Sequence, residues 1–181
     1  MIAQLREEDK VLGATDRCHH IQMSLKNIFH RAQLLDDAFS LCHASQLDHG
    51  VPLEMANTLQ RNEESLGVWQ TALHHLRTWA HILNEGSGRE GVHRMLIKIT
   101  SEIYAKLGWK DEGSHVRKLL RQKILTAVLD AGHAEAIEKA KELFNGQMRG
   151  KAGVAANLQE LVYSVGVREG AAKEWKWCWD R

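Results

Sequence analysis

Residues 34–42 read Leu34-Leu35-Asp36-Asp37-Ala38-Phe39-Ser40-Leu41-Cys42, and their order decides what backbone must hold them. Leu34, Leu35, Ala38, Phe39 and Cys42 fall on one stripe of a helix with 3.6 residues per turn, and Asp36, Asp37 and Ser40 point away from it. A strand would put Leu35 and Asp37 on the same face and lose the separation. The helical reading therefore stands first, and the same spacing recurs along the chain.

Downstream, Pro52 sits where a second helix begins, a position at which its missing N–H does no harm, and Leu53, Ala56 and Leu59 face inward from that helix. Trp69, Ala72, Leu73, Leu76, Ala80 and Leu83 form a third stripe, ended by Gly86-Ser87-Gly88. Val92, Met95, Leu96, Ile99 and Ile103 form a fourth, stopping near Gly108. The fifth is apolar around more of its circumference, through Val116, Leu119, Leu120, Ile124, Leu125, Ala127, Val128 and Leu129, which suits a helix packed on two sides. Gly132 follows it and can take the left-handed conformation that closes a helix. A sixth carries Ala136, Ile137, Ala140 and Phe144 inside, with Glu135 and Lys139 paired outside, and ends at Asn145-Gly146. Asn157 with Glu160 reads as a capping box opening a seventh through Leu158, Leu161, Val162 and Val165. A last helix after Gly170 bears Trp175, Cys178 and Trp179.

Composition agrees. A single proline in 181 residues leaves long helices unbroken, and no window alternates β-branched with polar residues as a strand does. The expected fold class is all-α. Consecutive helices joined by short turns pack as antiparallel neighbours, so stacked helix pairs, an irregular α-solenoid of the HEAT or armadillo kind, are expected. A compact bundle remains open. Residues 1–29 lack clean periodicity: Ile2, Leu5 and Leu12 fit the end of a helix begun upstream, and Gly13 to Asn27 a loop or insertion.

Hydrophobic residues make up 44% and charged residues 26%, as in ordinary globular proteins. A formal net charge of +1 offers no footprint for nucleic acid, and no apolar run approaches the roughly 20 residues of a membrane span. The acidic, polar stretch Met1 to Lys10 is unlike a signal peptide. Cys18, Cys42 and Cys178 are too far apart for a disulfide framework or a C-x-x-C metal spacing.

Eleven histidines raise the question of a metal. There is no H-E-x-x-H, the spacing that sets two imidazoles on one helix face with a general base between them. Cys18, His20, Cys42 and His43 are the residues that would converge on zinc if any did, but without ligand spacing. His74, His75 and His81 are expected on or beside a solvated face of the third helix. Asp36 and Asp37, being adjacent on a helix, diverge, so a cap, a solvated face or a structural salt bridge explains them better than a catalytic pair. No nucleophile elbow or phosphate-cradling loop occurs; Gly86-Ser87-Gly88 and Gly146 to Gly153 are read as turns. No catalytic residue, metal ligand or cofactor is expected in this chain. Arg31 and Arg121 lie beside apolar stripes and need an acceptor. An internal ion pair, with Asp37 for Arg31, is one reading; lining a substrate groove is the other. Trp69, Trp175 and Trp179 are expected in the core, with Trp177 off that face.

The run His30-Arg31-Ala32-Gln33-Leu34-Leu35-Asp36-Asp37-Ala38-Phe39 resembles the Asn-Arg-Ala-x-Leu-x-x-Asp-Ala-Phe signature that opens the helical C-terminal domain of aminopeptidase N-type zinc enzymes. Further landmarks follow in the family's order: Trp69 with Ala72-Leu73, Leu107-Gly108-Trp109, Leu119-Leu120-Arg121, Gly132-His133, Asn157-Leu158, Val162-Tyr163, Gly166-Val167 and Trp175. His30 stands where the family has Asn, and Val68 where it has Pro.

The resemblance implies a parent zinc metalloprotease that hydrolyses N-terminal residues from peptides. Its zinc is held by H-E-x-x-H in a catalytic domain outside this chain. Residues 30–181 are then expected to be part of the C-terminal helical domain, and 1–29 the end of an upstream segment with an insertion. The implied partners are the parent's catalytic domain and, indirectly, peptide substrate, with no nucleic acid and no membrane contact from this segment. The implied setting is a plasma-membrane ectodomain, a secreted enzyme, the endoplasmic-reticulum lumen or the cytoplasm. The match stops midway through the family's helical domain, which a gene fragment, a splice form or a decaying copy would each fit. The alternative is a free-standing helical-repeat scaffold for protein–protein interaction.

Overall fold

The computed structural model describes residues 27–83, 85–151 and 153–180. The expectations for residues 1–26, and so most of the 1–29 segment with Cys18 and His20, lie outside the described residues.

Those residues form eight α-helices and no strand. They are α1 (Ile28–His43), α2 (Gly50–Asn57), α3 (Leu66–Ile82), α4 (Ser87–Leu107), α5 (His115–Asp130), α6 (Ala134–Met148), α7 (Ala156–Arg168) and α8 (Ala172–Trp179), with a 3₁₀ turn Thr58–Gln60 after α2. The odd-numbered helices lie side by side in chain order, α1 on α3, α3 on α5 and α5 on α7. Among the even-numbered ones, α4 packs on α3 and α5, α6 chiefly on α7, and α8 on α7. The all-α expectation is thus met.

The stripe that opens the sequence is the buried face of α1: Leu34, Leu35, Ala38, Phe39 and Cys42 are all buried. Trp69 is completely buried on α3, and its indole N–H donates to the Glu63 carbonyl at 2.9 Å, which removes the cost of an unpaired buried donor. α5 fits the prediction of a helix packed on more than one side. Its Leu120, Ile124 and Ala127 join the core of α1–α4, while Leu125, Val128 and Leu129 join cores shared with α6 and α7.

Several boundaries differ from the sequence reading, each for a local reason. α1 begins at Ile28, inside the 1–29 segment read as lacking periodicity, because the Asn27 carboxamide caps it by accepting from the Phe29 N–H at 2.9 Å. Ser87 and Gly88 are already helical, so the turn before α4 is shorter than expected. α6 runs past Asn145-Gly146 to Met148 and closes at Gly150, where φ is +67° and the Gly150 and Lys151 N–H groups donate to the Gln147 and Gly146 carbonyls. The capping box expected at Asn157 is absent: α7 starts at Ala156 with Ala155 as its N-cap, two residues earlier, and the Asn157 amide donates to Asp111 Oδ2 at 2.9 Å.

The tryptophan assignment reverses in α8. Trp177 packs edge-on against Phe144 and Tyr163, at 5.4 and 5.7 Å between ring centroids. Trp175 and Trp179 are 53% and 75% exposed and stack on each other at 5.3 Å. Aromatics at 175 and 179 share one face and 177 lies opposite; the inward face is the one that meets Phe144.

Candidate functional site

Arg31 and Arg121, the two cations singled out from sequence, are far from interchangeable. Arg31 binds Glu63 through two hydrogen bonds, Nε to Oε2 at 3.0 Å and Nη2 to Oε1 at 3.2 Å. Its partner is therefore Glu63, 32 residues away, and not Asp37, which accepts from the Gln33 amide of its own helix at 3.1 Å. A planar guanidinium suits such a two-point grip.

Arg121 is 1% exposed. Its Nε donates to the Leu107 carbonyl and its Nη2 to the Glu112 carbonyl, both at 3.0 Å, while Nη1 faces Asp111 Oδ1 across 4.0 Å. The Leu107 carbonyl is one of those an α-helix leaves unsatisfied at its end, and a cation there also complements the helix dipole. Arg121 thus fastens the end of α4 and the 108–114 connection onto α5.

Asp36 and Asp37 diverge as expected. Asp36 Oδ1 lies 2.8 Å from His75 Nε2. The placement of His75 is a correction: it is buried, not at a solvated face, because its ring stacks flat on Phe39 at 4.6 Å. His74 and His81 are exposed.

The described residues do not assemble a zinc site. Among the described residues no group of three or more His, Cys, Asp or Glu side chains comes together as metal ligands. Cys42 is buried, with its thiol pushed above its ordinary range by burial and by the nearby Asp48 carboxylate. His43 Nε2 already accepts from the Trp79 indole at 2.8 Å.

A concavity of about 590 Å³ opens where α3, α4, α5 and α7 converge. α3 contributes His74, Arg77 and His81, which share a face at spacings of three and four; α4 contributes Arg89 and His93, α5 contributes Asp130, and α7 contributes Arg168. Arg77 Nη2 pairs with Asp130 Oδ2 at 2.8 Å, and Arg168 reaches Glu169 at 3.0 Å and the Leu129 carbonyl at 3.4 Å. The sequence reading sets His74 and His81 on or beside a solvated face of this helix, but does not single out Arg77, and the meeting with Arg89, His93 and Arg168 is tertiary. Sequence reasoning also missed His133, whose Nδ1 accepts from the Ala136 N–H at 3.2 Å and caps α6. Among the described residues no helix is long and apolar enough to cross a membrane.

The chain matches the family described as ERAP1-like C-terminal domain over residues 20–181. It is 32% identical to human glutamyl aminopeptidase over 151 residues, which is 81% of this chain and 15% of that protein. Against human endoplasmic reticulum aminopeptidase 2 it is 30% identical over 78% of this chain and 15% of the relative. The membrane alanyl aminopeptidase of Manduca sexta is 24% identical over 83% of this chain and again 15% of the relative. The chain therefore spans about 15% of the length of these curated relatives. On its helices, its landmark order and this match, the chain belongs to the ERAP1-like C-terminal domain family.

Proposed function

We propose that this chain is a non-catalytic helical segment of a zinc aminopeptidase that removes N-terminal residues from peptides. Residues 30–181 would cap the active-site chamber of a catalytic domain that lies elsewhere in the protein. The observation that carries this reading is the family match over residues 20–181, with relatives that are themselves aminopeptidases many times longer. The side-by-side order of α1, α3, α5 and α7, with even-numbered helices against them, suits an irregular stack of helix pairs. Zinc chemistry belongs to the catalytic domain in this reading. Arg31 and Arg121 then serve the segment through its internal order, and a groove role for either requires rearranged contacts.

The test is immunoprecipitation with an antibody raised against this chain. The expected precipitate contains peptides from a longer polypeptide bearing H-E-x-x-H and cleaves an aminoacyl-anilide in a chelator-sensitive way, while the purified chain alone does not. A precipitate holding the 181-residue chain without such a polypeptide or activity rejects the proposal. It would favour a scaffold reading, for which the exposed Trp175–Trp179 stack is the supporting observation.

A further inference from the structure

We propose that the cleft between α3 and α4 is a binding site for a small polyanion carrying two or more phosphate or carboxylate groups. Its lining holds three guanidinium groups, of Arg77, Arg89 and Arg168, against one carboxylate, Asp130, a difference of 3 − 1 = 2 positive charges before any histidine is protonated. That carboxylate is already engaged by Arg77 at 2.8 Å. The side chains of Arg89, His81 and His93 have no hydrogen bond or ion pair with the described residues, and all three border the same concavity. They stand on two helices, His81 in the last turn of α3 and Arg89 with His93 in the first two turns of α4.

Two walls with unspent donors favour a ligand that presents anionic oxygens in more than one direction. A volume of about 590 Å³ exceeds what one oxyanion fills and lies within the roughly 300–1,000 Å³ typical of small-ligand clefts. The helix ends around the cleft contribute both signs of partial charge. The carbonyl ends of α3 and α5 are negative, and Arg168 covers the Leu129 carbonyl at 3.4 Å. The amide end of α4 is positive and adds to Arg89, so Arg89 and His93 are the residues on which the anion is expected to bear. The rival reading is an ordinary solvated basic surface, which attracts anions weakly and without stoichiometry.

Isothermal titration of the 181-residue chain with inorganic pyrophosphate and with citrate, at constant ionic strength set by sodium chloride, tests this. The expected result is saturable one-to-one binding of at least one of the two, with the stronger identifying phosphate or carboxylate as the preferred oxyanion. Arg89→Gln with His93→Gln should weaken it at least tenfold, and Lys173→Gln on α8 should leave it unchanged. A second readout does not depend on variants: the His81 and His93 ring resonances of the wild-type chain should shift with the same saturation curve. Binding no stronger than the chloride background, equal loss in the Lys173 variant, or unmoved His81 and His93 resonances each overturn the proposal.

Discussion

Arg31 and Glu63 grip each other through two hydrogen bonds at 3.0 and 3.2 Å, and the same carboxylate accepts from the Ser65 N–H at 2.8 Å. One acidic side chain thus ties the start of α1 to the turn ahead of α3, beside the carbonyl that receives the Trp69 indole. The side chains are 17% and 9% exposed. The pair lies between the roughly 1 kcal/mol at most of an exposed ion pair and the roughly 3–5 kcal/mol lost when one partner of a buried pair is removed. Denaturant unfolding of Arg31→Ala, Glu63→Ala and the double variant should show each single loss inside that range and a combined loss smaller than their sum. Additive losses would show that the two residues act separately.

Arg121→Ala should be more damaging than Arg31→Ala. It strips partners from the Leu107 and Glu112 carbonyls and leaves Asp111 facing a void. A loss of at least about 3 kcal/mol is expected in chemical denaturation, and Arg121→Lys should recover part of it, since one ammonium cannot reproduce the fork. A loss under about 1 kcal/mol, the size of a surface pair, would mean that water replaces the guanidinium.

Two glycines make opposite predictions. A Cβ on Gly166 would clash with the ring of Phe144, and that ring is held edge-on by Tyr163 and Trp177. Gly166→Ala should therefore cost at least the roughly 1–3 kcal/mol of overpacking. Gly146 lies within α6 with nothing near its Cβ position, so Gly146→Ala should gain about 0.5–1 kcal/mol. Thermal melts of the two variants should move in opposite directions.

In α8, Trp177→Ala should lower stability by up to the roughly 3–5 kcal/mol of a core tryptophan. Trp175→Lys with Trp179→Lys should stay within about 0.5 kcal/mol per site, as exposed substitutions do, and should reduce self-association in sedimentation. If the double lysine variant unfolds, the stacked pair at 5.3 Å is a packing element and not a surface.

Cys42 should resist alkylation in the native chain, since burial first and Asp48 second hold its thiol protonated. The sign of the linkage follows: a thiol whose folded pKa is raised adds stability that is complete below the ordinary thiol range and disappears as pH rises through the folded value. Stability should fall in alkaline solution, and less steeply in Cys42→Ala. Rapid native-state labelling of Cys42 by iodoacetamide would contradict its buried position.

What could be read from sequence divides by range. The stripes of α1, α3 and α5 were legible because a 3.6-residue period is local, and most residues on them are buried, although Leu83 at the end of the α3 stripe and Val116 and Leu119 at the start of the α5 stripe are exposed. Partners across the fold were not. Asn157 has the spacing of a helix cap, yet Asp111, 46 residues away, takes its amide. Arg31 has Asp37 six places on, yet Glu63 is the residue that faces it. Aromatics on both sides of the eight-residue α8 give no clue to which side is inward. For the cleft, the sequence reading sets His74 and His81 on or beside a solvated face, but passes over Arg77 of the same helix, and Arg89, His93 and Arg168 reach the cleft only through the packing of α4 and α7.

Arg121 holds its neighbourhood through carbonyl oxygens, which every amino acid possesses. Glu112 contributes nothing from its own side chain to that bond, and the side chain is exposed. Position 112 is thus free to drift, or to accept a fluorophore or affinity handle, without loosening the joint, as long as the backbone keeps its path. Position 121 has no such latitude. Substitution tolerance along this connection should consequently be lopsided, permissive on the side that accepts the hydrogen bonds and strict on the side that donates them.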